Sequence, residues 1–139
     1  MTAGKRARPI TPAQRRALIS GARAVRSRAH APYSNFQVGA AVLDEKGRIH
    51  TGINVENASY GLTVCAERHA VAAAVAAGAK AIRAVAVVTP TSPPGSPCGA
   101  CRQVLSEFAA PEALVFLAPP TGAAEETTMG ELLPRSFRL

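Results

Sequence analysis

Three cysteines, arranged in two short motifs, constrain this chain more than any other feature of its sequence. One motif is Cys65-Ala66-Glu67 and the other is Pro97-Cys98-Gly99-Ala100-Cys101. Three thiolates that converge can hold a zinc ion and leave its fourth tetrahedral position open for water, which distinguishes a catalytic zinc from a structural one. We therefore predict a fold that brings both motifs to one metal site.

A carboxylate stands two residues after the first cysteine. Glu67 is too near Cys65 in sequence to be an obvious independent ligand, yet it is near enough to hydrogen-bond whatever the metal holds. A general acid or base must sit in such a position. Glu67 is thus the predicted proton shuttle of a hydrolytic zinc site.

The composition is typical of one globular domain in a reducing compartment. The 139 residues are 47% hydrophobic, which is enough to bury a core. All three cysteines fall in the predicted site, so none remains for a disulfide, and we expect a cytoplasmic protein. No apolar run follows the basic N-terminus, and the apolar stretch 70–88 is interrupted by Gly78, Lys80 and Arg83. Neither a signal peptide nor a membrane span is therefore expected.

The net charge of +7 is concentrated near the N-terminus. Eight of the sixteen lysines and arginines lie in residues 1–28, and the first acidic residue is Asp44. We predict a basic flexible leader over residues 1–10, followed by a single domain over residues 11–139. The leader and one solvated helix face account for the excess charge, and aromatic residues that stack single-stranded bases are scarce. Nucleic acid is therefore not an expected partner.

Hydrophobic periodicity and capping signals predict alternating helices and strands. The first helix begins with the capping box Thr11-Pro12-Ala13-Gln14 and runs to about residue 28. Thr63 is the predicted cap of the second helix, which carries the first cysteine and stops at Gly78. The other predicted elements are strands over residues 36–43, 48–55, 84–89 and 113–117, a helix from residue 98 to about 108, and a short helix over residues 129–133. Residues 119–128 are predicted to be an irregular loop.

The cysteines fall at the starts of two predicted helices, Cys65 at one and the pair Cys98 and Cys101 at the other. Unpaired amide hydrogens and the positive end of each helix dipole lower the pKa of a cysteine and favour its thiolate. Zinc with three thiolates carries a formal negative charge, so nearby cations are needed to draw charge from the sulfurs. Arg68 is the predicted main hydrogen-bond donor to a thiolate, and Arg102 is a candidate helper.

Four runs of residues follow one another between residues 32 and 103. They are Pro32-Tyr33-Ser34-Asn35-Phe36-Gln37-Val38-Gly39-Ala40-Ala41, Asn54-Val55-Glu56-Asn57-Ala58-Ser59-Tyr60-Gly61, Cys65-Ala66-Glu67-Arg68 and Pro97-Cys98-Gly99-Ala100-Cys101-Arg102-Gln103. Together with the ending over residues 132–137, they resemble the small homotetrameric cytidine deaminases. The resemblance implies a three-layer α/β/α sandwich around a mixed sheet of about five strands, with one zinc ion per subunit bound by Cys65, Cys98 and Cys101.

The same resemblance implies an activity. A zinc-bound hydroxide would deaminate cytidine and deoxycytidine to uridine and deoxyuridine plus ammonia, with Glu67 as proton shuttle, in pyrimidine salvage. Phe36 would lie against the nucleoside, and the Ala66 N–H would donate to the pyrimidine carbonyl. Asn54 and Glu56 would hydrogen-bond the ribose hydroxyls. A carboxylate that accepts from the 3′-hydroxyl discriminates between substrates, because leaving it unpaired in a dry pocket costs about 1 to 3 kcal/mol.

The family implies that active sites are shared between chains. Tyr60 and Phe137 are the candidates to reach into the sites of neighbouring subunits in a homotetramer. For Phe137, which lies near the C-terminus, the alternative is that its ring only docks the tail onto its own core.

Three other functions compete with this one. His69 stands four residues after Cys65, so a closed structural site of three cysteines and His69 is one alternative. A deaminase of RNA or of free bases is the second, although such enzymes more often have His-x-Glu where this chain has Cys-x-Glu. A deaminase of nucleoside antibiotics such as blasticidin is the third, and the intact Asn54-Val55-Glu56-Asn57 run favours ordinary cytidine over it.

Overall fold

The computed structural model describes residues 9–139, which form a five-stranded sheet with helices on both faces. In chain order the elements are α1 (Pro12–Arg26), β1 (Gly39–Asp44), β2 (Ile49–Ile53), a 3-10 turn (Tyr60–Leu62), α2 (Ala66–Ala76), β3 (Ile82–Val88), α3 (Gly99–Phe108), β4 (Ala109–Ala118), β5 (Glu125–Thr128) and α4 (Met129–Leu132). The strand order is β2-β1-β3-β4-β5, with β3 and β4 parallel and the other neighbours antiparallel. The mixed five-stranded sheet confirms the predicted fold class.

The sheet separates two hydrophobic cores. Successive side chains of a strand point to opposite faces, so Ala40 and Val42 of β1 pack in the core that also holds α2, α3 and α4. Ala41 and Leu43 pack in the other core, against Leu18 and its neighbours on α1. The result is three layers, with α1 on one side of the sheet and the cysteine-bearing helices on the other.

Local signals set the ends of the first two helices. Thr11 Oγ1 accepts from Gln14 N–H at 3.1 Å while Gln14 Oε1 accepts from Thr11 N–H at 2.9 Å, which is the predicted capping box. Helix α1 ends at Arg26, two residues before the predicted end. Helix α2 ends just before Gly78, whose φ of +93° is a left-handed conformation that favours glycine.

The start of α2 differs from the prediction. Its N-cap is Cys65 and not Thr63, because Cys65 has the extended backbone of a cap (φ −74°, ψ 156°). The Thr63 hydroxyl accepts instead from the N–H of Asn57 at 3.3 Å. The thiol therefore sits directly at the helix start.

Three strand predictions were also wrong. Strand β4 begins at Ala109 and not at residue 113. Strand β1 begins at Gly39 and not at residue 36, because the backbone of Phe36 and Val38 hydrogen-bonds the side chain of Asn54. The predicted loop over residues 119–128 contains β5, which pairs along β4 from Leu114↔Thr128 to Leu117↔Glu125. This edge strand is Glu-Glu-Thr-Thr, so it lacks the apolar alternation that signals a half-buried strand.

A glycine lets α2 lie directly on the sheet. A Cβ at Gly52 of β2 would stand 2.3 Å from Ala70 N and 2.4 Å from Ala66 O. No side chain fits there, so the first turns of α2 rest against the backbone of β2. This contact fixes the height of the helix start above the sheet.

Residues 1–8 of the predicted leader lie outside the described residues. Pro9 O accepts from Arg83 Nη2 at 3.3 Å, and Ile10 packs against the core beneath α1. Residues 9 and 10 thus both contact the domain. Within residues 9–139, no helix has the length and apolarity needed to cross a bilayer.

Candidate active site

The three thiols converge at the starts of two helices. Cys65 is the N-cap of α2, Cys98 is the N-cap of α3, and Cys101 lies in the first turn of α3. The Sγ atoms of Cys65 and Cys98 are 4.0 Å apart, those of Cys98 and Cys101 are 3.5 Å apart, and all three lie within 4.8 Å of one another. The prediction that the two motifs meet at one point agrees with this geometry.

The sulfur spacing suits a zinc ion. Zinc binds cysteine sulfur at about 2.3 Å, and tetrahedral angles then separate two sulfurs by about 3.8 Å. The distance between the Cys65 and Cys98 sulfurs is slightly longer than that value, and the distance between the Cys98 and Cys101 sulfurs is slightly shorter. Three thiols without a carboxylate or imidazole among them form a soft donor set that favours zinc over magnesium or calcium. Cys101 is fully buried whereas Cys98 is exposed, so the cluster is open on one side.

His69 is not part of the cluster. Within the described residues, the group able to hold a metal consists of the three cysteines. His69 Nδ1 lies 2.7 Å from Ile53 O at the end of β2, where a ring N–H donates to the carbonyl. This placement contradicts the closed Cys₃His site.

One thiol of the cluster is predisposed to ionise. The pKa of Cys65 is lowered to about 5. The main cause is a hydrogen bond from the Cys101 thiol, and contact with Arg68 contributes less. The same donation, together with burial, raises the pKa of Cys101. Arg68 Nη2 lies 3.8 Å from Cys65 Sγ and donates to Thr63 O at 3.4 Å, so the guanidinium faces the ionised sulfur.

Glu67 lies in the first turn of α2, two residues after Cys65. Its side chain is buried, with the residue 5% exposed, and burial raises its pKa to about 7. A carboxyl group that titrates near neutral pH can both accept and release a proton under ordinary conditions. These are the properties of a proton shuttle.

Arg102 has different partners from those predicted. Its Nε donates to Pro97 O, its Nη1 to Leu132 O and its Nη2 to Ser96 Oγ, each at 2.7 Å. Its guanidinium thus fastens the loop before Cys98 to α4 and does not donate to a thiolate. These contacts give Arg102 a role in positioning that loop, and its help in neutralising the sulfurs stays a prediction.

Asn54 is buried, and both ends of its amide contact the backbone ahead of β1. Its Oδ1 accepts from Val38 N–H at 2.8 Å, and its Nδ2 donates to Phe36 O at 2.8 Å. These bonds fix the backbone that carries the Phe36 ring, which is 39% exposed.

Glu56 is half-buried and hydrogen-bonds the turn that precedes Phe36. Its carboxylate accepts from the N–H groups of Tyr33 and Ser34 and from the Ser34 hydroxyl. The hydroxyl contact is the main cause of its lowered pKa. A two-way backbone bridge between Val55 and Val64 brings this segment beside the one that leads into Cys65.

Comparison with known proteins identifies this arrangement. Residues 12–118 match the sequence family described as the cytidine and deoxycytidylate deaminase zinc-binding region. The chain belongs to this deaminase family.

Relatives of the family resemble the chain along most of its length. A cytidine deaminase from Sporosarcina psychrophila is 48% identical over 120 residues, which cover 86% of this chain and 88% of that protein. The 1.6 Å crystal structure of cytidine deaminase from Burkholderia pseudomallei has a TM-score of 0.84 at 48% identity, covering 92% of this chain and 100% of that chain. The crystal structure of cytidine deaminase from Mycobacterium tuberculosis has a TM-score of 0.78 at 41% identity, covering 89% of this chain and 97% of that chain. The deaminase fold is therefore shared across the whole domain.

Two aromatic residues that the family resemblance singled out are largely exposed in the deaminase chain. Tyr60 is 75% exposed and packs edge-on against Tyr33, with ring centroids 5.9 Å apart. Phe137 is 71% exposed, and its carbonyl accepts from Gln103 Nε2 at 3.2 Å. The Phe137 ring is thus not docked into its own core, which removes that alternative.

Sequence reasoning missed two residues that shape the deaminase site. Gly52 had no signal beyond being a glycine inside a strand, which often marks a close approach of another backbone. Ser34 had a clearer signal, because a serine hydroxyl in a turn commonly accepts a hydrogen bond from the backbone N–H two residues further on. The Phe36 N–H donates to Ser34 Oγ at 3.0 Å.

Proposed function

We propose that this deaminase hydrolyses cytidine and deoxycytidine to uridine and deoxyuridine with release of ammonia. The observation that carries the proposal is the buried Glu67, with a pKa raised to about 7, beside three converging thiols. The relatives named as cytidine deaminases, at 48% identity over most of the chain, support the same substrate.

Cys65, Cys98 and Cys101 would hold one zinc ion per subunit. When bound, zinc acts as a Lewis acid that lowers the pKa of water to about 7. Glu67 accepts a proton from the water that attacks C4 of the cytosine ring and delivers it to N3. It then carries the proton of the new C4 hydroxyl to the amino group, which leaves as ammonia while the C4 oxygen becomes the uracil carbonyl. Its burial serves this role, because a carboxylate with a low pKa would be too weak a base to take the proton from water.

Arg68 supports the thiolates. Its guanidinium faces Cys65 Sγ and draws negative charge from the sulfur, which would otherwise weaken the metal as an electrophile. The Ala66 N–H is at the first position of α2, where an amide has no acceptor within the helix, and it would donate to the pyrimidine carbonyl.

The sugar would be recognised by Phe36, Asn54 and Glu56. The half-exposed Phe36 ring offers a flat apolar surface to the nucleoside. Glu56 would accept from the 3′-hydroxyl. The Asn54 amide uses one donor and one acceptor on the backbone of residues 36–38 and keeps its second N–H for a ribose oxygen.

The protein would work as a homotetramer with shared active sites. The exposed rings of Tyr60 and Phe137 support this, because each offers apolar surface that its own chain leaves uncovered. Specific activity should fall when the protein is diluted below the concentration at which the oligomer dissociates. Constant specific activity across the dissociation measured by analytical ultracentrifugation would argue against shared sites.

The proposed setting is pyrimidine salvage in the cytoplasm, with a nucleoside as substrate and no nucleic acid as partner. Residues 11–139 would serve as one catalytic domain. The basic side chains of α1 lie on the face of the sheet opposite the thiols, which keeps them away from the site.

The test is the loss of cytidine absorbance on deamination, measured beside bound zinc. Glu67→Gln should keep its zinc and lose nearly all turnover, whereas Glu107→Gln, on an exposed position of α3, should keep both. If the zinc-loaded parent leaves cytidine and deoxycytidine untouched, the nucleoside assignment fails. Antibiotic nucleosides and then RNA would be the next substrates to assay.

A further inference from the structure

The turn formed by residues 33–36 occupies most of the acceptor capacity of Glu56. Oε1 accepts from Tyr33 N–H at 2.9 Å and from Ser34 N–H at 3.2 Å. Oε2 accepts from the Ser34 hydroxyl. A carboxylate has about four acceptor sites, so this turn leaves one of them, on Oε2, for another donor.

Ser34 also has a fixed hydrogen-bond direction. Its Oγ accepts from Phe36 N–H at 3.0 Å, and an amide can only donate. An ionised carboxylate can only accept, so the hydroxyl proton must point at Glu56 Oε2. One hydroxyl therefore joins the residue proposed to bind the sugar to the backbone of the residue proposed to lie against the nucleoside.

We propose that Ser34 is a positioning residue for sugar recognition, whose hydroxyl fills one acceptor site of Glu56 Oε2 and directs the other toward the 3′-hydroxyl of the nucleoside. This inference rests on the proposed function. Ser34 itself does not touch the substrate. Without its hydroxyl, Oε2 has two open sites that water can fill, and the carboxylate is no longer held toward a single donor.

The experiment is a competition between substrates that differ only in their sugar hydroxyls. Mixtures of cytidine with 3′-deoxycytidine, and of cytidine with 2′-deoxycytidine, are treated with each enzyme, and the products are separated by chromatography. The product ratio gives the ratio of the two kcat/KM values. That ratio does not depend on the fraction of enzyme that is folded or zinc-loaded, so a merely structural loss cancels.

Ser34→Ala should reduce the preference for cytidine over 3′-deoxycytidine by roughly tenfold, or about 1.4 kcal/mol, because the hydrogen bond from the 3′-hydroxyl to a charged acceptor is weakened. The preference between cytidine and 2′-deoxycytidine should not change, because both keep the 3′-hydroxyl. Ser34→Thr, which keeps a hydroxyl, should restore most of the preference. Ser20→Ala, at an exposed position of α1, is the matched control and should leave both ratios unchanged.

A second arm tests whether Ser34 acts through Glu56. In a Glu56→Ala background, Ser34→Ala should change the cytidine to 3′-deoxycytidine ratio by less than about twofold, because coupled residues are not additive. An unchanged ratio in Ser34→Ala alone, or an equal effect with and without Glu56, would overturn the inference while leaving the deaminase activity intact. A parent enzyme that deaminates none of the three nucleosides would instead overturn the proposed function.

Discussion

The site has a metal side, formed by residues 65–68 and 98–101, and a sugar side, formed by residues 33–36 and 54–56. On the metal side Ala66 and Cys101 are fully buried and Glu67 nearly so, and the helices that carry them pack into the core. On the sugar side Tyr33 is 51% exposed and Phe36 39% exposed. The metal side is held by close packing, whereas the sugar side is held by hydrogen bonds from side chains to a turn.

This difference matches the demands on each side. Reacting groups gain from a rigid, water-poor setting in which their charges need not reorganise. Recognition of the sugar needs only a few well-aimed polar groups, which an exposed turn can provide. Changes on the metal side should therefore affect metal binding and turnover, and changes on the sugar side should affect selectivity.

Loss of the buried thiol should have the largest effect. Cys101→Ser replaces a soft ligand that has no solvent access with a harder, weaker one. We expect loss of bound zinc and no measurable turnover, with helix content preserved by circular dichroism. Zinc is measured by atomic emission on the dialysed protein, and a variant that retains a full zinc complement would show that two cysteines suffice.

Gly52→Ala should have the next largest effect, because the added methyl group forces α2 away from β2. The added Cβ would meet Ala70 N at 2.3 Å and Ala66 O at 2.4 Å. We expect the free energy of unfolding to fall by about 3 kcal/mol, which is the upper end of the typical cost of overpacking a core. Urea unfolding measures the change, and Gly21→Ala, whose nearest atom would be 3.7 Å away, is the matched control. Equal stability of the two variants would mean that α2 is not fixed by this contact.

Arg68→Gln should weaken the metal side without unfolding it. The variant loses the cation that faces Cys65 Sγ, and changes of residues that contact ligands commonly cost about 10- to 100-fold in metal affinity or activity. Zinc affinity, measured by chelator competition, should fall within that range. Arg68→Lys keeps the charge and should recover part of the loss. The charge argument fails if Gln and Lys weaken zinc binding equally.

The clustering of the three cysteines could be predicted from the sequence because the signals within each motif are local. Cys65 and Glu67 belong to one motif, and Arg68 stands three residues after Cys65, so that it lies on the same face of the helix. Arg102 directly follows Cys101, and neighbouring helix positions point about 100° apart. Its side chain therefore reaches Leu132 and the loop before Cys98, which sequence proximity alone did not reveal.

The sugar side and the sheet edge were harder to predict because their determinants are not local. Asn54 delays the start of β1 to Gly39 by hydrogen-bonding the backbone of Phe36 and Val38, and nothing in either segment alone indicates that contact. Strand β5 is set by pairing with β4, and its four polar residues carry no strand pattern. Chain segments distant in sequence decide both features.

The smallest expected effect is on the sugar side, where Tyr33 and Tyr60 meet edge to face at 5.9 Å. Such pairs contribute about 0.5 to 1.5 kcal/mol beyond their buried area, and these rings are 51% and 75% exposed. A double-mutant cycle of Tyr33→Ala and Tyr60→Ala, measured by urea unfolding, should give a coupling free energy near the lower end of that range. Because the rings lie in exposed segments, their loss should leave zinc binding unchanged. A coupling above about 2 kcal/mol, or a parallel loss of zinc, would mean that the two sides are held as one unit and that the contrast between them is wrong.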